Sequence, residues 1–168
     1  MEPIPDIVRC PQTGRALRWD GSGALVSDEG AAFPYLEGVA CLLPEASLGA
    51  DESRTVRDFY ESVGWRKDDH GRFADTAQFV DTRACSYAFT RRCVTRLGRY
   101  YKNGGEVLLD AGSGPIPHDE LLKYGDRFRH RVCVDLSAGA LREAKHKLGD
   151  RGVCLQGDLI RLPLAADS

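Results

Sequence analysis

Hydrophobic and polar positions divide the chain into three stretches. In residues 1–45 the apolar runs are short and broken by turn residues. Asp20-Gly21-Ser22-Gly23 separates Ala16–Trp19 from Ala24–Ser27, and Glu37-Gly38 separates Ala32–Tyr35 from Val39–Leu43. This pattern predicts two hairpins, closed by Pro44. Over 46–105 the period becomes helical. Val56, Phe59, Tyr60 and Val63 share one face, and Phe89, Cys93, Leu97 and Tyr101 share another, on a segment from about Thr82 to Lys102. A charged link with Gly64 and Gly71 joins the two helices, and Asn103-Gly104-Gly105 stops the second.

Over 106–168 strand and helix alternate. The apolar runs Val107–Asp110 and Val132–Asp135 each end in an acid, and Val153–Gln156 is followed by Gly157-Asp158. Between the first two runs lies a predicted helix, Pro117–Tyr124. Pro117 suits its first position, and Asp119 and Glu120 suit its positive end. Ser137 caps the next helix, which turns Leu141, Ala144 and Leu148 to one side and ends at Gly149. The order β-α-β-α-β implies an α/β fold with a parallel sheet, preceded by helices and a small N-terminal β-rich module.

Composition changes this picture little. With 42% hydrophobic and 29% charged residues the chain can bury a core, and a net charge of -2 gives no global field toward nucleic acid or anionic membrane. Arg91, Arg92, Arg96 and Arg99 cluster locally and read as a solvated helix face. No apolar run approaches the roughly 18–20 residues that span a bilayer. MEPIPDIVRC lacks the features of a signal peptide, so a cytoplasmic location is expected. The six cysteines are scattered without a C-x-x-C pair, which fits reduced thiols; Cys133 and Cys154 lie inside apolar runs.

The strongest chemical signal is Asp110-Ala111-Gly112-Ser113-Gly114-Pro115, where a strand ends in a carboxylate and turns through two glycines. In a parallel sheet such a turn lies at the carboxyl edge of the strands, where ligands bind. A dinucleotide fingerprint needs a third glycine at position 117, which is proline here. Asp110 would repel a pyrophosphate but suits a ligand with a cationic amino group and a sulfonium. An NAD-dependent oxidoreductase is disfavoured on both counts. Asp135 ends the next strand at the distance where an acid accepts bonds from ribose hydroxyls.

These residues resemble motif I and motif II of the class I S-adenosylmethionine-dependent methyltransferases. Asp110, Gly112 and Gly114 match [D/E]-x-G-x-G-x-G, with Ile116 in place of the last glycine. Gly157-Asp158-Leu159-Ile160-Arg161-Leu162-Pro163-Leu164 is similar to the family's G-D-x-x-x-L-P-[F/L] segment. The resemblance implies a partial Rossmann-like sheet and S-adenosylmethionine as cofactor. It implies that Asp110, Gly112, Ser113 and Gly114 surround the methionine part, that Asp135 meets the ribose, and that Leu136, Asp158 and Leu159 meet the adenine. The family's sheet has further strands, which carry the acceptor site. The expectation is therefore a fragment or truncated product with no nameable catalytic residue, or a sheet completed by a dimer mate or partner chain. The acceptor is unknown, and a non-catalytic methyltransferase-like subunit is the rival reading.

Residues 7–43 resemble a small zinc-ribbon module found ahead of some methyltransferases. Cys10-Pro11-Gln12-Thr13-Gly14, Phe33-Pro34-Tyr35 and the closing Leu42-Leu43-Pro44 match, but Thr13, Ser27 and Gly30 stand where cysteines belong. One thiolate cannot hold a tetrahedral zinc, and Cys41 is a poor substitute. No metal is expected, and the module is expected to pack against the long helix. Its role is structural, or recognition of a partner or substrate. His118 follows the glycine turn and reads as a surface residue, and His70, His130 and His146 lie in polar stretches. Tyr60 and Trp65 read as packing residues, at a place where family members cover the cofactor.

Overall fold

The computed structural model describes residues 5–43, 51–79, 81 and 83–168. Pro44 and Thr82, at the predicted ends of the second hairpin and the long helix, lie outside the described residues. Among the described residues are seven strands: β1 (Leu17–Trp19), β2 (Ala24–Ser27), β3 (Ala32–Leu36), β4 (Val39–Cys41), β5 (Gly105–Ala111), β6 (Phe128–Asp135) and β7 (Gly152–Gln156). They form one mixed sheet in the order β1-β2-β3-β4-β7-β6-β5. Five α-helices accompany them: α1 (Asp51–Phe59), α2 (Ala74–Phe79), α3 (Ala84–Leu97), α4 (Asp119–Leu122) and α5 (Ala138–Leu148).

The parallel part is β5-β6-β7, with Asp110 opposite Cys133 and Asp135 opposite Gln156. β6 and β7 are buried on both faces through Val132, Cys133, Val134, Val153, Cys154 and Leu155, which explains their unbroken apolar runs. On one face α5 packs Leu141 and Ala144 against Cys133 and Cys154. Ser137 caps α5 by accepting from the Ala140 amide at 3.1 Å. Two predicted boundaries shift. α4 begins at Asp119, with Pro117 left in the approach turn, and its chain continues as a 3-10 turn over Lys123–Arg127.

The two N-terminal hairpins form as expected, but they pack differently. β4 adds to the outer edge of β7 in parallel, Val39 beside Cys154 and Cys41 beside Gln156. Val8, Cys10, Leu25, Phe33 and Leu42 cover the sheet face opposite α5, against Val132, Val134, Val153 and Leu155. The expectation of packing against the long helix is corrected: α3 has no buried residue and contributes nothing to this cluster. The apolar face of β6 and β7 offers more burial than a helix that carries Arg91, Arg92 and Arg96.

Candidate functional site

The carboxyl ends of β5, β6 and β7 meet at one edge of the sheet, and the glycine turn runs across them. Gly112 has φ +70 and Gly114 φ +51, values that favour glycine. The Gly112 amide donates to Val134 O at 2.8 Å and the Ser113 amide to the same oxygen at 3.4 Å. The Gly114 amide donates to Asp135 Oδ2 at 2.8 Å, and the Ile116 amide to Ser113 O at 3.3 Å. Pro115 and Pro117 have no amide hydrogen. Every N–H of the turn from 112 to 117 is thus absent or bonded inward, and none is left to cradle a phosphate.

Ile116, at the position of the motif's last glycine, has φ +52 and is buried. A β-branched residue in this region is strained. Lys147, from α5, donates to Pro115 O at 2.7 Å and Ile116 O at 2.9 Å and holds the turn.

Asp110 is not a bare carboxylate. Arg131 of β6 is 3% exposed and donates through Nε and Nη2 to Asp110 Oδ2, at 3.2 and 2.5 Å. Its Nη1 donates to Leu121 O at 2.6 Å. Asp135 receives the Gly114 amide on one oxygen and the Ser137 amide on the other at 2.9 Å. Burial raises its pKa above the usual carboxylate value, the backbone bonds oppose this, and the charge of Glu61 adds to it. Asp158 Oδ1 accepts from the Ile160 amide at 2.9 Å.

A segment far away in sequence closes over this edge. After α1 the chain makes a π-helical turn, Tyr60–Gly64. From that turn Glu61 accepts from the Ala138 amide at 2.5 Å, at the start of α5. Trp65 stacks on Tyr60 at 5.0 Å between ring centres and meets Phe73 edge-on at 5.6 Å. A Cβ added to Gly114 would lie 2.9 Å from the Trp65 ring, so glycine is what lets the indole sit on the turn. Lys67 pairs with Glu143 at 2.7 Å, and Glu143 with Lys147 at 3.3 Å, which links the covering segment to the glycine turn.

Two cavities result. One of about 390 Å³ brings together Gly112, Asp135, Leu136, Asp158 and Leu159 under Val56, Tyr60 and Trp65. The other, of about 360 Å³, is lined by Asp110, Gly112, Ser113 and Gly114, with Leu108, Tyr101, Tyr124 and Arg131 among its other walls. Gly112 and Trp65 line both. His118, the residue before α4, lines neither among the described residues. The sequence reading missed Glu61 and Arg131. It read Tyr60 and Trp65 as packing residues, at a place where the resembled family covers its cofactor; in the structure Val56 and Val63 of the same stripe are exposed.

Among the described residues no group of three or more His, Cys, Asp or Glu side chains is placed to hold a metal. Ser27 Oγ accepts from the Ala31 amide at 3.1 Å and closes its turn. No helix is long and apolar enough to cross a membrane among the described residues.

The fold is that of an α/β protein with a cleft at the carboxyl ends of three parallel strands. No protein-family model matches the chain, and no curated protein matches it. Among solved structures it is similar to magnesium protoporphyrin IX methyltransferase (ChlM) from Synechocystis PCC 6803. With S-adenosylhomocysteine bound, that structure has a TM-score of 0.48 and 19% identity, over 67% of this chain and 54% of that one. With S-adenosylmethionine bound, the values are 0.47 and 17%, over 68% and 58%. The chain spans little more than half the length of these structures.

Proposed function

We propose that the cleft binds S-adenosylmethionine and that the chain is the cofactor-binding portion of a methyltransferase. One observation carries the reading: five residues from three strand ends, Gly112, Asp135, Leu136, Asp158 and Leu159, line a single cavity roofed by aromatic side chains. Asp135 is pre-oriented by two backbone amides for two ribose hydroxyls. Leu136 and Leu159 are the apolar walls for a purine, and Asp158 keeps one oxygen without a partner among the described residues for the adenine amino group. The second cavity receives the amino-acid end. A turn with no free amide hydrogen favours this ligand over a dinucleotide.

S-adenosylmethionine, when bound, supplies an electrophilic methyl group on a sulfonium. The residues of this chain bind and orient. Trp65 and Tyr60 exclude water from the cleft, and the paired Asp110 and Arg131 present both signs of charge to the ammonium and carboxylate of the methionine end. No histidine, lysine or cysteine lines either cavity among the described residues. An acceptor that is already nucleophilic needs none, because holding donor and acceptor in line supplies much of the rate. The same observation favours a second reading, a cofactor-binding subunit without turnover.

The test is thermal unfolding with S-adenosylhomocysteine, with NAD as control. At a hundredfold excess over Kd the homocysteine compound should add about 2.7 kcal/mol, or roughly 5–10 °C in Tm for a chain of this size. Asp135→Ala should abolish the rise. A rise with NAD, or none with either from a folded sample, overturns the reading.

A further inference from the structure

The chain's net charge of -2 conceals a strong local segregation. Between Asp81 and Glu106 there is no acidic residue, and Arg83, Arg91, Arg92, Arg96, Arg99 and Lys102 all fall there. The structure puts Arg91, Arg92 and Arg96 on α3 and Arg99 on the 3-10 turn Gly98–Tyr101 that extends it, with Arg83 and Lys102 flanking the two ends. Arg83 is paired with Asp81, and Arg91 with Glu120. Arg92 and Arg96 have no partner among the described residues. Beside α3 runs a groove of about 440 Å³ whose other wall adds Lys123 and Arg127, with Glu120 its one acid among the described residues.

Large aromatic side chains stand exposed on the same helix. Phe89 is 62% exposed, Tyr87 54% and, just beyond the helix, Tyr100 69%. Tyr87, Arg91, Arg92 and Arg96 line one stretch of the helix surface, which adjoins the groove at Arg91 and Thr95, whereas Phe89, two residues from Tyr87, lies on the other side of the helix. An exposed ring set among unpaired arginines is costly for a solvated helix face, but it matches a ligand that has planar groups along an anionic backbone. We propose that this face of α3 binds single-stranded nucleic acid, with Arg91, Arg92, Arg96 and Lys102 on phosphates and Tyr87 on a base. An anionic lipid surface has the charge but no planar groups for rings to stack on.

The experiment measures fluorescence anisotropy of a labelled oligouridylate of about a dozen nucleotides with the whole chain and no methyl donor. Four phosphate contacts give a salt slope of about -2.8, so affinity should fall about 50-fold between about 50 mM and about 200 mM salt. Arg92→Glu with Arg96→Glu should remove binding, and Arg92→Lys with Arg96→Lys should retain most of it. All four substitutions are at exposed positions, and circular dichroism checks that the fold stands. Tyr87→Ala should weaken binding at least about fivefold and leave the salt slope unchanged. No binding at low salt by folded chain overturns the proposal. So does binding that the charge reversals leave intact, or uptake by phosphatidylserine vesicles without binding of the oligonucleotide. Since no methyl donor is present, each of these outcomes leaves the reading of the cleft untouched.

Discussion

Arg131 and Asp110 form a buried ion pair between neighbouring strands, and the two partners differ in their access to water. The Arg131 side chain is 4% exposed and that of Asp110 28%. Asp110→Ala leaves a guanidinium in the interior with Leu121 O as its remaining acceptor, at a cost of about 3–5 kcal/mol. Arg131→Met leaves a carboxylate that water reaches, and its cost should be smaller. The double substitution should regain most of the loss, because a buried pair contributes little beyond its apolar replacement. Urea unfolding of the four proteins measures this. Equal losses from the two single substitutions would refute the asymmetry.

Asp135 ties pH to stability and to ligand binding with opposite signs. Its folded pKa is raised by burial, so the folded chain takes up this proton before the unfolded chain does. Through this group, stability rises as pH falls from the folded pKa to the unfolded value near 3.8. Ribose hydroxyls need the ionised form as acceptor, so affinity for S-adenosylhomocysteine should fall over the same window. Glu61→Gln keeps an acceptor for the Ala138 amide and removes a negative charge, and it should move the midpoint down. Tryptophan emission titrations between about pH 4 and pH 7 test both effects. Asp135→Asn should abolish the dependence, and an unmoved midpoint in Glu61→Gln would rule out the electrostatic link.

Much of the fold was legible because strands buried on both faces write unbroken apolar runs. Val132–Asp135 and Val153–Gln156 announced their own ends, and Asp135 at the first end and Asp158 just past the second line the cleft. Arg131 was not legible as a partner of Asp110. An arginine beside an apolar run says only that one face is polar, and it takes the register, Cys133 opposite Asp110, to bring position 131 to the same face. Glu61 and Ala138 are 77 residues apart, and no periodicity encodes that contact. The pairing of β4 with β7 was hidden for a related reason: three residues of a hairpin carry no mark of which strand they will extend.

The two glycines of the turn should respond differently to alanine. Both have positive φ, which costs about 1–2 kcal/mol for a residue with a Cβ. At Gly112 the new Cβ meets only Leu159, at 3.6 Å. At Gly114 it intrudes on the indole of Trp65 at 2.9 Å. Gly112→Ala should therefore be destabilised by about the backbone cost alone. Gly114→Ala should lose more and should shift Trp65 emission to the red as the ring is pushed toward water. Trp19→Phe provides a background with Trp65 as the single tryptophan. An unshifted spectrum in Gly114→Ala would mean that the indole does not rest on the turn.

Ile116 and Lys147 should be energetically coupled across the start of the same turn. Ile116 is held at φ +52 while its side chain fills the core between Val39, Cys133 and Leu141. Lys147 donates to the carbonyls of the two peptides that flank Ile116, and these bonds oppose relaxation of the strained residue. Lys147→Met should cost about 1–3 kcal/mol, the usual range for bonds made by a charged donor. Ile116→Gly relieves the backbone but empties a core position, so it should destabilise by a few kcal/mol on its own. In that background the turn keeps its left-handed residue without help, and Lys147→Met should cost about 1 kcal/mol less than in the native chain. A double-mutant cycle by urea unfolding gives the coupling directly. If the two losses simply add, Lys147 does not hold Ile116 in its strained conformation, and core packing alone must keep it there.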